Sequence, residues 1–221
     1  MQTHTNRLFE QKLKNLKIDI ITMGQTCERQ LSLSVDSLTE QDDRMAEVII
    51  SNDTLINEQQ SRIEADTIHA IAKWQPVAVD LRFLISALKI SADLERIGDY
   101  TANIAKRRLR IHERIDQEPL TLISDMAQAC LKMLNGSIRS LQDNNVDKAI
   151  SVWHEDEDID TLFSRLINLI AKALKKTSGL TDQYTHLLFM ARCFERIGDH
   201  IKNVVENITY IYTGELYTAE A

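Results

Sequence analysis

Residues 94–104 read LERIGDYTANI, and residues 194–204 read FERIGDHIKNV. Glu, Arg, Ile, Gly, Asp and Asn recur in the same order, shifted by 100 residues. In helical register Glu95 stands one turn from Asp99, and Glu195 one turn from Asp199, each pair around a glycine. A single acidic pair on a helix means little, but a repeated one implies that the chain around it is repeated as well.

Apolar residues recur at helical spacing almost throughout. The spacing predicts a first long helix from about Asn6 to Ser34–Ser37, with Leu13, Leu16, Ile20, Met23, Cys27 and Leu31 on one face. A short helix follows in DDRMAEVII (42–50), closed by SND at 51–53, with Asp53 as N-cap of the next helix to Trp74. Pro76 fits the first position of a long helix to about His112. DQEP at 116–119 reads as a linker. The second half replays this order: a long helix near 120–144, a short one in NNVDKAISVW (144–153), and a helix opened by HEDEDID (154–160) that runs to Lys176. KTSGLTD (176–182) makes a turn before a last helix near 183–212. The expected fold is all-α, a tandem pair of homologous three-helix bundles at 1–115 and 116–221. Two copies of so long a period are a duplication, not a solenoid.

Composition agrees. Only 2 prolines and 6 glycines in 221 residues leave little material for loops. The net charge of −7 argues against nucleic acid as partner, because phosphate binding needs a basic surface. The one basic run, KRRLR at 106–110, reads as a solvated last helical turn that complements the helix dipole. Cys27, Cys130 and Cys193 are odd in number and show no CxxC spacing, so free thiols in a reducing compartment are expected. The segment MQTHTNRLFEQKLKNLK lacks a signal-peptide core, and no run of 18 apolar residues exists, so the expected location is cytoplasmic.

The acids do not lie on the wet face. At 100° per residue the polar arc of their helix holds Arg82, Lys89, Asp93, Arg96 and Tyr100, while Leu81, Leu84 and Leu88 point within about 60° of Glu95 and Asp99. In the later copy Tyr184, Leu188 and Ala191 lead to Glu195 and Asp199. Charged acids in such a place cost several kcal/mol when unpaired, so they are neutral, ion-paired or bound to a cation, unless the bundle is open there. Gly98 and Gly198 let a helix or a ligand approach between the acids, and Asn103 and Asn203 extend each row with a neutral oxygen. Asp53 and Asp156 occupy matching positions on the preceding helices, three residues before Ile56 and Ile159. Two oxygen-rich clusters follow, Asp53 with Glu95 and Asp99, and Asp156 with Glu195 and Asp199, of the kind that suits hard cations. Salt bridges to Arg96 and Arg196, simple N-capping by Asp53 and Asp156, and a protonated pair stand beside that reading. DEDID at 156–160 is no EF-hand, because Thr161 and Ile167 replace the glycine and the closing glutamate. A ferritin-type site wants histidine where Gly98 and Gly198 stand. Phosphate loop, nucleophile elbow and dinucleotide fingerprint are all missing. His200 reads as a surface residue.

WQPVAVDLRFLISALKISADLERIGDYTANIAKR at 74–107 and FERIGDHIKNVVENITYIYTGE at 194–215 carry a family resemblance. The sequence resembles the PhoU family of bacterial phosphate-signalling regulators over nearly its whole length. The family's E/DxxxD motifs fall on Glu95–Asp99 and Glu195–Asp199, and Asp53 and Asp156 match its acidic position on the preceding helix. The resemblance implies metal bound at these six residues, with Asn103, Asn203 and Asp160 as secondary ligand candidates and the ion (Fe, Mn, Mg, Zn or Ca) left open. It also implies frequent homodimers and a regulator without catalysis of its own. Such a regulator restrains phosphate uptake and the starvation response through a membrane sensor histidine kinase and the ATPase of the phosphate ABC transporter. The alternative is a metal-dependent hydrolase or oxidase using the same carboxylates. Lys202 stands where the first half has Ala102, and HEDED (154–158) is denser in acid than ISNDT (50–54), so the two sites are expected to differ in affinity or metal.

Overall fold

The computed structural model describes residues 2–112, 115–176, 181–215 and 217, with side chains from Arg7 onward except at 176 and 181. Among the described residues there are seven helices and no strand. They are α1 (Gln2–Thr39), α2 (Asp43–Trp74), α3 (Ala78–Arg108), α4 (Gln117–Asp143), α5 (Val146–His154), α6 (Asp156–Lys176) and α7 (Thr181–Thr213). Helices α1, α2 and α3 form one three-helix bundle, and α4, α7 and the bent arm α5–α6 form the second. Helices α1, α3, α4 and α7 pack on one another at the centre, with α2 outside on α1 and α3, and α5–α6 outside on α4 and α7.

The two halves meet through antiparallel pairs. Along α3 and α7 the contacts run in opposite senses: Arg82 Nε donates to the Ile211 carbonyl (3.5 Å), Asp93 meets His200 (2.8 Å), and Arg107 lies 4.2 Å over the Phe189 ring. Lys17 of α1 likewise donates to the Gln142 carbonyl (3.1 Å), and Asn135 of α4 donates to Glu28 (3.3 Å). One apolar cluster runs through both halves, from Leu16 and Ile20 through Ile97 to Phe194 and Ile208. The predicted face of α1 is its buried face, with Leu16, Ile20, Met23, Cys27 and Leu31 inaccessible to solvent.

Several expected boundaries move. The short and medium helices of the first half are one continuous α2, so Asp53 lies inside a helix and caps nothing. Ser51 and Thr54 do not break it, because their hydroxyls donate back to the carbonyls of Val48 (2.9 Å) and Ser51 (3.0 Å). The second half does break: the Glu155 N–H bonds to the Val152 carbonyl and closes α5, and Asp156 is the first residue of α6 rather than its cap. Pro76 precedes α3 instead of opening it, in a connection where Gln75 (φ 48°) closes α2 in the left-handed region. Helix α3 ends at Arg108, short of His112, and α4 already includes Gln117–Glu118–Pro119 of the presumed linker. Positions 177–180 of the KTSGLTD turn lie outside the described residues.

The basic run is not simply a solvated turn. Arg108 is buried; its guanidinium donates to the carbonyls of Ser37 (3.1 Å) and Ile111 (2.9 Å) and pairs with Asp43 (3.2 Å). It ties the end of α3 to the α1–α2 connection, sharing the Ser37 carbonyl with the Asp42 N–H (3.1 Å). Lys106, Arg107 and Arg110 instead line a groove with Asn103, Phe189 and Cys193.

Candidate functional site

Both repeated motifs stand where an inner helix meets an outer one, and each glycine is the point of closest approach. A Cβ on Gly98 would lie 2.8 Å from Ile56 Cδ1 of α2. One on Gly198 would lie 2.5 Å from Asp156 Oδ1 and 3.0 Å from Ile159 Cδ1 of α6. The glycines therefore admit the neighbouring helix, and that approach brings Asp53 within the field of Glu95 and Asp99, and Asp156 within that of Asp199.

In the first cluster the Glu95 carboxyl is raised above its ordinary range, first by burial and then by Asp99, with Arg96 opposing and Asp53 adding. Burial and then Asp99 raise Asp53, against Lys106. The three acids thus share one field. Arg96 spans two of them, 3.4 Å from Glu95 and 3.0 Å from Asp99. Asp53 has no ion pair among the described residues, and its Oδ1 is buried without a hydrogen-bond partner.

The second cluster has the same acids in different company. Asp156 is buried, its side chain 8% exposed, with Lys202 Nζ 3.1 Å from Oδ2. The same ammonium sits 4.3 Å from the centre of the Trp153 ring, and the Trp153 indole N–H is held by Glu206 (3.1 Å). Arg192 pairs with Glu195, and Arg196 reaches Asp199 (3.3 Å). Burial, followed by Asp199, raises the Glu195 carboxyl, opposed by Arg192 and Arg196. Burial also raises Asp156, opposed by Lys202, with Asp160 and Asp199 adding to the rise. Glu195 Oε2 is buried without a hydrogen bond, with Arg196 Nε 3.8 Å away.

The secondary candidates divide. Asp160 acts electrostatically on both Asp156 and Glu195. Asn203 instead donates its amide to Asp93 (3.2 Å), and Asn103 lines the groove of Lys106 and Arg107. His200 is not a free surface residue: it pairs with Asp93 at 2.8 Å and packs its ring 5.7 Å from Tyr100, joining α7 to α3. The sequence singled out Lys202 as a difference between the two sites, but not Arg192 or Trp153 as members of the second cluster. The same register comparison that set Lys202 against Ala102 would also have found Arg192, which stands where the first half has Ala92.

Among the described residues no three His, Cys, Asp or Glu side chains converge tightly enough to enclose a metal ion. The arginines bridge the carboxylates along their own helices instead. The donor chemistry of the first cluster still fits a hard cation: three carboxylates, one of them with a buried oxygen that nothing satisfies. A wide groove lined by Asp125, Arg165, Lys172 and Tyr184 contains none of the predicted site residues. Cys27 and Cys130 are free and buried, their thiols donating to the carbonyls of Leu94 and Phe194 (3.3 Å each), and burial pushes both thiols well above the ordinary range.

A family model described as PhoU domain matches the chain twice, at residues 20–108 and 123–208. A phosphate-specific transport system accessory protein PhoU homolog of Clostridium acetobutylicum is 35% identical over 212 residues, 96% of this chain and 97% of that protein. A Caulobacter vibrioides protein of the same description is 32% identical over 224 residues, 100% of this chain and 96% of that protein. The crystal structure of the phosphate transport system regulatory protein PhoU from Streptococcus pneumoniae superposes with a TM-score of 0.89 at 33% identity, covering 95% of this chain and 99% of that one. PhoU from Pseudomonas aeruginosa gives 0.90 at 25% identity, covering 94% of this chain and 100% of that one.

Proposed function

This chain belongs to the PhoU family of phosphate-transport regulatory proteins, and we propose that it works as an adaptor without catalysis of its own. In this reading it acts in the cytoplasm as a homodimer of chains, each divided near 115/116 into two bundles. It restrains phosphate uptake and the starvation response by contacting the ATPase of the phosphate ABC transporter and a sensor histidine kinase. The observation that carries the regulatory reading is the end-to-end match to accessory proteins, with both motif copies in place. No described helix is long and apolar enough to cross a membrane, which fits a protein that reaches membrane partners by contact. Exposed Val77, Val79, Leu81 and Ile85 around the start of α3 support a protein–protein contact there.

Within that reading Asp53, Glu95 and Asp99, and separately Asp156, Glu195 and Asp199, are the residues that would hold cations. A bound cation would supply positive charge to a face otherwise held by arginine bridges. The chain's own residues would then set the surface seen by a partner, because Arg96 and Arg196 are half-exposed and would lose their carboxylate contacts. The non-catalytic reading is supported by the arginine bridges on Glu95, Asp99, Glu195 and Asp199 and by the burial of the Cys27 and Cys130 thiols, which raises both.

The test is a strain lacking this chain, carrying a reporter for a phosphate-starvation promoter and assayed for phosphate uptake in rich phosphate. Both outputs rise without the chain and fall again when it is restored. Unchanged outputs would reduce the protein to a structural module. Light scattering reports the dimer, and co-purification with the ATPase and the kinase reports the adaptor contacts.

A further inference from the structure

The repeats present the same acids with different numbers of fixed cations. In the first cluster Arg96 is, among the described residues, the only cation within ion-pair distance of the three acids. Lys106 acts on Asp53 without pairing. In the second cluster Arg192, Arg196 and Lys202 all pair with the acids, so each of the three carboxylates has a cationic partner. The two additional cations stand where the first half has Ala92 and Ala102. The lysine is seated rather than adventitious: the Trp153 face covers its ammonium, and in the first half the matching position is Ile50, which offers no such face. Its partner Asp156 is buried and is held against Gly198 at a distance no Cβ would allow.

We infer that Lys202 is the resident cation of the second cluster and that it makes the two sites unequal, the first open to a divalent ion and the second closed to one. The inference rests on the metal reading proposed above for the first cluster and departs from it at the second, where Lys202 stands in place of an ion. A lysine ammonium is a compact point charge, and here it takes the place and the countercharge that a hard cation would need. Entry of a divalent ion would have to expel it from both Asp156 and the Trp153 face, leaving two positive groups to compete for one carboxylate. Asp160 adds a fourth acid at the rim, but it is exposed and does not pair with Lys202. Among the described residues no cation pairs with Asp53, so none has to be expelled from it; each cluster holds one buried unsatisfied oxygen, on Asp53 and on Glu195, and the seated lysine is what differs. A regulator built this way would respond to metal in one half only, while the other half stays permanently neutralised.

The experiment is Mn²⁺ titration of the chelator-stripped full chain, counting bound ion by the loss of the free Mn²⁺ resonance signal. Wild type should bind one tight equivalent. Asp53→Asn should abolish it and Asp156→Asn should leave it intact. Lys202→Met, which keeps the stem against Trp153, should gain a second equivalent bound at least about tenfold more tightly than the second site of wild type. Two equal equivalents in wild type, or a loss on Asp156→Asn, would overturn the inference without any recourse to the lysine variant. A folded Lys202→Met chain that still binds one ion at the Asp53 cluster would overturn it while leaving the metal reading intact. No Mn²⁺ bound by any of the variants would remove the metal reading and this inference together.

Discussion

Replacing Asp53 by asparagine should stabilise the metal-free protein and destabilise the metal-loaded one. Asp53 is half-buried, its Oδ1 has no partner, and Asp99 repels it while Lys106 compensates only in part. The ionised carboxyl bears the cost of desolvation and of repulsion by Asp99, and its partial exposure holds the two together to about 1 kcal/mol. Asparagine keeps the shape and removes the charge, so about 1 kcal/mol should be gained, or roughly 2–4 °C in melting temperature for a chain of this size. The sign follows from linkage. The folded-state carboxyl is raised above the unfolded value of about 3.9, so ionisation opposes folding. The cost is present in full above the folded value, shrinks as pH falls through it, and vanishes below about 3.9. With Mn²⁺ at a hundredfold excess over Kd the wild type gains about 2.7 kcal/mol that the variant does not, and the order of stabilities reverses. Calorimetric melts with chelator and with Mn²⁺, at pH 8 and pH 5, read both effects. A variant less stable than wild type in chelator at pH 8 would show that the ionised Asp53 is a paired, stabilising group and that the reasoning is wrong.

Gly198→Ala should cost about 1–3 kcal/mol by chemical denaturation, because the new Cβ meets the buried Asp156 carboxylate. Gly98→Ala should cost less, since it meets the end of the Ile56 side chain, and equal losses would contradict this ordering. Arg108→Met should lower stability by about 1–3 kcal/mol, mainly by leaving the Ile111 carbonyl without its donor, since the Ser37 carbonyl keeps the Asp42 N–H; a loss under about half a kilocalorie would mark it as an ordinary surface arginine. Against a thiol reagent at pH 8, Cys193, half-buried with its thiol pushed up to about 11, should react slowly in the native state, and Cys27 and Cys130 only on unfolding. Native reaction of all three at one rate would refute the burial argument.

The repeat, the all-α class and the buried faces were legible in the sequence because helical periodicity is a local property, and so was the grouping of Glu95 with Asp99 and of Glu195 with Asp199, one turn apart on their own helices. Asp53 and Asp156 were set beside those groups from their matching positions three residues before Ile56 and Ile159, although neither caps a helix as expected. Local signals failed where they were ambiguous. Ser51–Asn52–Asp53 looks like a stop, yet α2 runs through it because its hydroxyls bond within the helix and Ile49 and Ile56 are buried on either side. Arg108 and His200 looked like solvated residues, and packing buried one under the α1–α2 connection and set the other against Asp93 of the opposite repeat.

The sequence by itself determined two copies of one helical motif and which carboxylates each copy carries. Only the tertiary structure decided the partners of those carboxylates. A charge interacts with whatever lies within a few ångströms, and those neighbours come from helices distant in the chain: Lys202 meets Asp156 across the α6–α7 contact, under a tryptophan placed by the end of α5. The difference between Ala102 and Lys202 is visible in the sequence, but that the lysine turns inward to the acid and not outward to water is a property of the packed bundle.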